Sequence, residues 1–416
     1  MAKESYDNLV VGLDLGTTKI CAVIAEIQPS GVANIIGMGT KPSKGLRKGV
    51  VVNIENTIES VKLAVAEAER MAGVKVGSVF AGIAGGHIKG LNSHGVIAVS
   101  HKDKEITRED VERVIEAAKA IALPLDREII HVLPQEFIID NQDGIREPVG
   151  MSGVRLEAEV HIVTGAVTSV QNIIKSVERG GFGVEDIILQ PLASSEAVLS
   201  ADERELGVVL ADIGGGTTDV AVFIDGALWH SGVIAIGGNQ LTADIAIGLR
   251  TPNQEAEEIK HKYGCASVGM VAEGEEIIVP GVGGRAPRTL PRRQLAEIIQ
   301  PRMEEIFELI DAEIKKNGFE EKAAAGLVLT GGSSLLAGTA QLAEEILQVP
   351  VRIGVPKNVV GMVDIVNSPI YATAVGLVCF GAKTRNAGRG TRSRGGSAKP
   401  MGSVLQRMKN WFTEYF

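Results

Sequence analysis

Two short stretches of the chain carry an Asp, a glycine turn and a pair of Thr residues in the same order. "DLGTTK" begins at Asp14, and "DIGGGTTD" begins at Asp212, about 200 residues later. Glycine has no Cβ, so backbone N–H groups in such turns can approach phosphate oxygens, and the Thr hydroxyls add donors. The leading Asp suits a hydrated Mg²⁺, which prefers a carboxylate and water to a cage of protein ligands. The pattern predicts two phosphate-binding turns that face each other across a cleft.

A third stretch, "LVLTGGSSLLAG", places a glycine pair and a Ser between an apolar strand and a helix start. The N-terminus of a helix after two glycines favours an anion or a nucleoside. The alternative is an ordinary strand–helix junction with Ser as the N-cap, just as a single Gly-Thr-Thr turn also suits a structural hairpin. The chain contains neither a P-loop motif nor a G-x-G-x-x-G after a strand, which argues against those two nucleotide-binding classes.

The elements around these turns follow from the apolar pattern. Each Asp turn lies between two apolar runs, which predicts a strand–turn–strand unit, and this internal repeat indicates two similar halves. Alternating strands and helices elsewhere favour an α/β architecture. Helical patterns cover 57–73, 107–124, 252–264, 294–318 and an apolar last segment, 368–382, and a glycine-rich loop covers 281–287.

Charge is divided unevenly along the 416 residues, which carry a net charge of −9. Residues 382–416 contain eight Lys and Arg side chains and one Glu, so the remainder of the chain is strongly acidic. We expect the acidic body to repel nucleic acid, and we predict no nucleic-acid partner. The basic tail should be attracted to anionic lipid. The length predicts two or more domains.

The cysteines and the N-terminus give expectations about the compartment. Cys21, Cys265 and Cys379 are far apart and lack metal-ligand spacing, which favours a reducing cytosol. We expect no signal peptide, because no long apolar run precedes the first glycine. The chain also contains no run of the ~18 apolar residues that a membrane-spanning helix needs.

The last residues, "GSVLQRMKNWFTEYF", divide into two faces at ~100° per residue. Arg407 and Lys409 fall on the polar face. A 13-residue helix is ~20 Å long, which is too short to cross the ~30 Å hydrocarbon core. We therefore predict that 403–416 lies in the membrane interface after a flexible basic linker, 382–402; the alternative is docking on the protein itself or on a partner. The predicted lipid-facing residues are Val404, Leu405, Met408, Trp411, Phe412, Tyr415 and Phe416.

In their order, "LDLGTTK", "LADIGGGTTDVAVF" and "LVLTGGSS" resemble the phosphate-1, phosphate-2 and adenosine motifs of the superfamily of actin, DnaK-type chaperones and sugar kinases. The resemblance covers residues 9 to about 380. Within this superfamily the chain resembles the FtsA family of bacterial cell-division proteins. The resemblance implies an α/β, actin-like ATPase fold of two similar halves around a nucleotide cleft, with a small inserted α/β lobe in the first half.

The same resemblance implies ATP and Mg²⁺ in the cleft, with Asp212 nearest the metal and Asp14 acting through water. Gln190 occupies the position that orients the attacking water; a neutral amide cannot take a proton as a carboxylate can, so we expect at most a slow ATPase. Glu257 and Lys260 share one helix face, and a solvated salt bridge is their alternative role. The implied nucleotide-binding residues are Asp14, Gly16, Thr17, Thr18, Lys19, Asp212, Gly214, Gly215, Gly216, Thr217, Thr218, Gly237, Gly238, Asn239, Glu257, Lys260, Gly331, Gly332 and Ser333.

The family also implies a division into subdomains and a set of partners. The C-terminal peptide of FtsZ would dock on subdomain 2B, the inserted lobe 1C would take part in filaments and in recruiting later division proteins, and anionic lipids would bind the tail. The protein would then work at the cytoplasmic face of the membrane, at the septum. The implied boundaries are 1–84, 164–191 and 356–381 for subdomain 1A, 85–163 for 1C, 192–225 and 305–355 for 2A, and 226–304 for 2B.

Two other classes of protein carry the same motifs. A small-molecule kinase or phosphatase of this fold needs a catalytic Asp or Glu base in the cleft and has no use for a basic, amphipathic tail. A DnaK-type chaperone needs a long β-rich peptide-binding domain after its ATPase domain. A filament-forming membrane anchor accounts for both the cleft and the tail, so we predict that function. Three His residues in the first half, His87, His94 and His101, are expected to be ordinary surface or strand residues.

Overall fold

The computed structural model describes residues 8–101 and 103–391. The predicted amphipathic segment and most of the predicted linker therefore lie outside the described residues. The strands are β1 Leu9–Leu15, β2 Lys19–Ile27, β3 Ala33–Pro42, β4 Leu46–Arg47, β5 Val50–Val51, β6 Ser78–Ile83, β7 Lys89–Ala98, β8 Arg127–Ile139, β9 Gln142–Ile145, β10 Arg155–Ala166, β11 Gly183–Leu189, β12 Val208–Ile213, β13 Thr218–Ile224, β14 Ala227–Ile234, β15 Glu276–Val279, β16 Arg288–Pro291, β17 Leu327–Thr330, β18 Val351–Ile353 and β19 Val359–Gly361. The helices are α1 Ile54–Ala72, α2 Arg108–Ala118, α3 Val167–Arg179, α4 Gln190–Val198, α5 Ala201–Leu206, α6 Gly238–Leu249, α7 Asn253–Tyr263, α8 Arg292–Lys316, α9 Thr339–Leu347, α10 Val363–Val366 and α11 Ala372–Thr391.

Two mixed sheets form the centres of the two halves. The first has the strand order β11-β6-β1-β2-β3-β19, and the second has the order β14-β13-β12-β17-β18. In the first sheet β1 pairs antiparallel with β2 and parallel with β6. In the second sheet β12 pairs antiparallel with β13 and parallel with β17. The shared pattern confirms the two similar halves, and it places the two Asp turns at the carboxyl ends of β1 and β12.

Helices cover these sheets with apolar faces that the sequence pattern predicts. In α1 the side chains of Val61, Ala64, Val65 and Ala68 are fully buried, at the spacing of one helix face. The helix begins after Asn53, whose side chain accepts from the Asn56 amide, and it ends at Gly73 in the left-handed conformation. The helix therefore begins three residues before the predicted start at Thr57, and its end at Gly73 agrees with the predicted one.

The inserted lobe has its own sheet, with the order β7-β10-β8-β9, and its own helix, α2. Thr107 and Asp110 form a capping box at the start of α2. Val114, Phe137 and Leu156 belong to a separate apolar core between this helix and the sheet. The small inserted α/β lobe of the expected fold is therefore present.

The inserted lobe contacts the second half through polar side chains on strand β14. His161 Nε2 lies 2.8 Å from Ser231 Oγ, and its Nδ1 lies 2.6 Å from Asn92 Oδ1. Gln135 Nε2 donates to the Trp229 carbonyl oxygen at 3.1 Å. Burial lowers the pKa of His161 to about 3, so its imidazole is neutral at physiological pH. Because β14 leads directly into the turn before α6, the lobe is attached to a strand that ends at the cleft.

The three His residues at seven-residue spacing differ in their surroundings. His94 and His101 are exposed, as expected, and His94 pairs with Glu157 and Glu159. His87 is not an ordinary surface residue, because both ring nitrogens are buried and find no hydrogen-bond partner among the described residues. Burial lowers the pKa of His87 to about 4.

The last helix corrects the predicted start of the basic linker. We expected a flexible segment from residue 382, but α11 continues to Thr391. Ala382 is buried against the first sheet. Lys383 pairs with Glu196 and Arg385 pairs with Glu185. The packing of Ala382 and the ion pairs of Lys383 and Arg385 therefore hold the beginning of this segment in the helix, although its composition alone indicated a linker.

Helices α4 and α11 approach closely below the cleft, and Gly376 makes this possible. A Cβ at Gly376 would lie 1.9 Å from the carbonyl oxygen of Ala193. We predict that Gly376→Ala separates the two helices and lowers the free energy of unfolding by about 1–3 kcal/mol or more. Urea unfolding followed by circular dichroism measures the loss. Gly86→Ala is the matched control, because no atom lies within 4 Å of a Cβ built there; equal stability of the two variants would contradict the prediction.

Candidate functional site

A cavity of about 300 Å³ lies between the two halves. This volume is at the lower end of the range for small-molecule sites. Its wall combines residues of the first half with residues of the second. The predicted site residues that line it are Asp14, Gly16, Thr17, Thr18, Lys19, Gln190, Asp212, Gly214, Gly215, Gly216, Thr217, Gly238, Asn239, Glu257, Lys260, Gly331, Gly332 and Ser333.

The two Asp turns contact each other at the base of this cavity. A Cβ on Gly215 would lie 1.8 Å from Thr18 Oγ1, and a Cβ on Gly216 would lie 2.7 Å from Thr17 Oγ1. Thr17 Oγ1 also accepts a hydrogen bond from the Gly49 amide at 3.1 Å. Only residues without a Cβ permit this approach. The turns therefore form one continuous surface, as the spacing of the two motifs predicts.

Two of the predicted residues do not line the cavity. Successive side chains of a strand point to opposite faces, so Thr217 faces the cavity and Thr218 is fully buried behind it. The Thr218 hydroxyl donates to the Ile236 carbonyl oxygen at 2.9 Å. Gly237 also lies behind the wall, where a Cβ would be 2.6 Å from the Gly214 carbonyl oxygen. Both residues support the turns from behind.

Alternation along β13 also brings Asp219 to the cavity, a residue that the sequence analysis did not select. Its Oδ2 accepts from Thr217 Oγ1 at 3.2 Å, whereas its Oδ1 is buried and has no partner among the described residues. Burial, together with the charge of Asp212, raises the pKa of Asp219 to about 8. The sequence signal that could have identified Asp219 was its position two residues after Thr217, because residues two apart in a strand share a face. Other lining residues that were not predicted are Leu15, Gly49, Ala84, His261, Gly264, Leu335, Leu336, Pro369, Ile370 and Thr373.

Asp14 is held by two side chains of its own half. Lys19 Nζ lies 3.1 Å from Asp14 Oδ2. Gln190, the first residue of α4, donates from Nε2 to Asp14 Oδ1 at 3.2 Å. The residue predicted to orient water is therefore in direct contact with one of the two residues predicted to face the metal.

Asp212 is held by hydroxyl groups of two helices, α4 and α11. Ser194 Oγ donates to Asp212 Oδ2 at 2.9 Å, and Thr373 Oγ1 donates to the same oxygen at 3.2 Å. Burial raises the pKa of Asp212 to about 6, and the two hydroxyl donors oppose this rise.

The carboxylates at the cavity base suit a cation that keeps its water. Among the described residues, no group of three or more His, Cys, Asp or Glu side chains is arranged to hold a metal ion. Asp14, Asp212 and Asp219 nevertheless all line one cavity, and Asp219 has an unpartnered oxygen. Oxygen donors that reach the ion through water match Mg²⁺ better than Zn²⁺.

Lys260 is buried, which excludes the solvated salt bridge as an account of the Glu257 and Lys260 pair. Lys260 Nζ donates to Glu257 Oε2 at 2.7 Å, to Thr242 Oγ1 at 2.8 Å and to the Gly238 carbonyl oxygen at 3.1 Å. An ammonium group has three N–H donors, so all of them are used within the protein. Lys260 thus ties α7 to the start of α6 at the cavity wall.

Solved structures with a similar fold belong to the actin-like class. The PilM–PilN type IV pilus biogenesis complex matches with a TM-score of 0.67 and 16% sequence identity, over 90% of this chain and 98% of that chain. MreB5 of Spiroplasma citri bound to ADP matches with a TM-score of 0.56 and 15% identity, over 92% and 98% of the two chains. The two sheets and the cleft between them therefore define an actin-like protein.

Sequence comparisons narrow this class to one family. Cell division protein FtsA of Pseudomonas aeruginosa is 51% identical over 99% of both chains, and that of Escherichia coli K12 is 42% identical over 100% of both. The model of cell division protein FtsA matches residues 209–376, and the model of the SHS2 domain inserted in FtsA matches residues 85–164. The chain belongs to the FtsA family of bacterial cell-division proteins.

The raised pKa of Asp219 predicts a pH-dependent stability of the protein without ligand. The folded state keeps a proton that the unfolded chain releases above about pH 4, so stability is lost as the pH rises towards 8. We expect Asp219→Asn to flatten this loss by about 1 kcal/mol or more, as measured by urea unfolding between pH 5 and pH 8.5. Asp225→Asn, the same change at an exposed position of the next turn, should keep the wild-type slope. A wild-type slope in Asp219→Asn would refute the prediction.

Proposed function

We propose that the protein binds ATP and Mg²⁺ in the cleft and tethers FtsZ filaments of the division ring to the membrane as an actin-like filament. The observation that carries this proposal is the meeting of two matching Asp–glycine turns, one from each half, on one cavity. Such a pair presents backbone N–H groups to a phosphate chain from both sides. The ADP bound to the similar MreB5 structure supports a nucleotide as the ligand.

In this proposal the two turns clamp the phosphates, and Lys19 offsets part of their charge. Asp212, Asp14 and Asp219 hold the water shell of the Mg²⁺, which supplies positive charge at the phosphates when it is bound. The glycine pair at 331–332 and the adjacent Ser333 leave room for the adenosine. Glu257 and Lys260 shape the ribose side, with Lys260 acting through the Gly238 carbonyl oxygen that it binds.

Gln190 orients water beside Asp14 in this scheme. An amide can position water but cannot accept its proton, so hydrolysis is slow and ATP serves mainly as a structural and switching ligand. The hydrogen bond between Gln190 and Asp14, at 3.2 Å, supports a role in the cleft.

The proposed partners follow the subdomains of the family. FtsZ docks through its C-terminal peptide on 226–304, and the inserted lobe, at 85–163, takes part in filament contacts and in recruiting later division proteins. The match of the SHS2 model to residues 85–164 supports the position of this lobe. Subdomain 1A comprises 1–84, 164–191 and 356–381, subdomain 2A comprises 192–225 and 305–355, and the last helix continues beyond 381 to Thr391.

Attachment to the cytoplasmic face of the membrane at the septum is assigned to residues 403–416, which lie outside the described residues. No helix between residues 8 and 391 is both long and apolar enough to span a bilayer. A single short amphipathic helix binds weakly, so many copies along a filament would strengthen attachment. No observation favours the small-molecule kinase or phosphatase over a division protein.

Gly332 offers a test of nucleotide binding that does not disturb folding. Gly332 lines the cavity, and a Cβ built there meets no atom within 4 Å. We expect Gly332→Val to fold normally and to lower the affinity for fluorescent mant-ATP roughly tenfold, or about 1.4 kcal/mol, because the side chain takes up ligand space. Gly77→Val is equally unobstructed but does not line the cavity, and it should bind like the wild type. Full affinity in Gly332→Val would count against this site.

The tethering function is tested by co-pelleting with anionic liposomes and FtsZ, with and without ATP. We expect the full chain to bring FtsZ into the pellet and a chain ending before Ser403 to leave it in the supernatant. Trp411→Glu should weaken binding to the membrane, and the fraction of protein in the pellet should fall. The loss of binding free energy should at least equal that of several basic contacts, each of about 1 kcal/mol. Thr413→Glu adds the same charge on the polar face and should reduce pelleting less. Undiminished pelleting of Trp411→Glu would refute the membrane role.

A further inference from the structure

The contact between the two halves at Asp212 has a particular asymmetry. Asp212 ends β12 in the second half, and its two hydroxyl donors lie on two helices: Ser194 on α4, which spans the boundary between the halves, and Thr373 on α11, in the first half. Both donors reach the same oxygen, Oδ2. Both are buried, with Ser194 fully inaccessible and Thr373 7% exposed.

The proton count makes the direction of these hydrogen bonds definite. Ser194 Oγ and Thr373 Oγ1 are also 3.0 Å apart, so three oxygens form a triangle. Each hydroxyl has one proton to donate, and a hydrogen bond to a carboxylate is stronger than one between two hydroxyls. With Asp212 ionised, both protons therefore point to Oδ2.

The other carboxylate oxygen is confined by the strand beside it. A Cβ on Gly331 would lie 2.4 Å from Asp212 Oδ1, so this oxygen lies directly against the glycine at the cavity wall. Rotation of the carboxylate would break both hydroxyl contacts. The carboxylate plane is thus determined by Gly331 and by the hydroxyls of two helices, α4 and α11.

We propose that Ser194 and Thr373 are positioning residues that orient Asp212 so that Oδ1 faces the hydrated metal. This inference rests on the proposed binding of ATP and Mg²⁺ in the cleft. Because Thr373 and Asp212 belong to different halves, the metal-facing carboxylate receives both hydrogen bonds only when the halves are in the relation seen here. Magnesium dependence of nucleotide binding and the relative position of the halves are then coupled through one oxygen atom.

The test compares the affinity of the full chain for mant-ATP in Mg²⁺ with that in EDTA. We expect Ser194→Ala and Thr373→Val each to reduce the ratio of the two affinities roughly tenfold, while the affinity in EDTA stays near that of the wild type. A purely structural role would lower both affinities alike. Thr373→Val keeps the shape of the side chain, so it provides the result if Ser194→Ala lowers the folding yield. Binding of Mn²⁺ with ATP, followed by electron paramagnetic resonance, should weaken in parallel.

Matched variants distinguish the positioning role of Ser194 and Thr373 from the proposed binding of ATP and Mg²⁺ on which it rests. Thr373→Ser keeps the hydroxyl and should behave as the wild type. Ser195→Ala removes the neighbouring hydroxyl, which donates to the Leu192 carbonyl oxygen instead of Asp212, and it should leave the ratio unchanged. In an Asp212→Asn background, Ser194→Ala should have no further effect on the ratio.

The outcomes are distinct. Wild-type protein that does not bind mant-ATP would refute the proposed function itself. Wild-type binding that depends on Mg²⁺, with unchanged ratios in both Ser194→Ala and Thr373→Val, would refute the positioning role alone. A further loss from Ser194→Ala in the Asp212→Asn background would also overturn it.

Discussion

The structure of the cleft depends on the close approach of two backbone turns, one from each half. Gly215 lies against the Thr18 side chain and Gly216 lies against the Thr17 side chain. Neither glycine has room for a Cβ. Since each turn joins the two central strands of a sheet, this contact sets where the two sheets meet. The glycine pair that follows β17 is placed next to the second turn, because β17 is the parallel neighbour of β12. The cavity and the position of its carboxylates depend on this approach.

Much of the site was predictable because its residues lie in short, contiguous motifs whose spacing fixes their place on a strand end. The same reasoning applied to β13 predicts Asp219 and not Thr218 as a site residue, because side chains alternate along the strand and Thr217 already faces the cavity. Ser194 and Thr373 could not be predicted, because they come from helices distant in sequence and only the fold brings them to Asp212. Composition misled at residue 382, where tertiary ion pairs keep the helix intact.

Two groups of buried polar atoms join separate elements of the fold beside the cleft. Lys260 uses all its donors to join α7 to α6, and Asp212 Oδ2 accepts from two helices, α4 and α11. Burial of each such group costs desolvation free energy, and its hydrogen bonds offset this cost only when every partner is in place. These contacts therefore specify how the joined elements are arranged more than they add to overall stability.

The seating of the inserted lobe on β14 has a mechanical consequence. His161 and Gln135 hold that strand at one end, and its other end runs into the Gly237 turn, whose neighbours bond to the Gly214 and Gly215 carbonyl oxygens. An extended strand is the least compliant form of a polypeptide, since it is already near its full length. A force applied to the lobe by a neighbouring subunit would therefore be transmitted to the cleft through this strand, because the strand can lengthen very little.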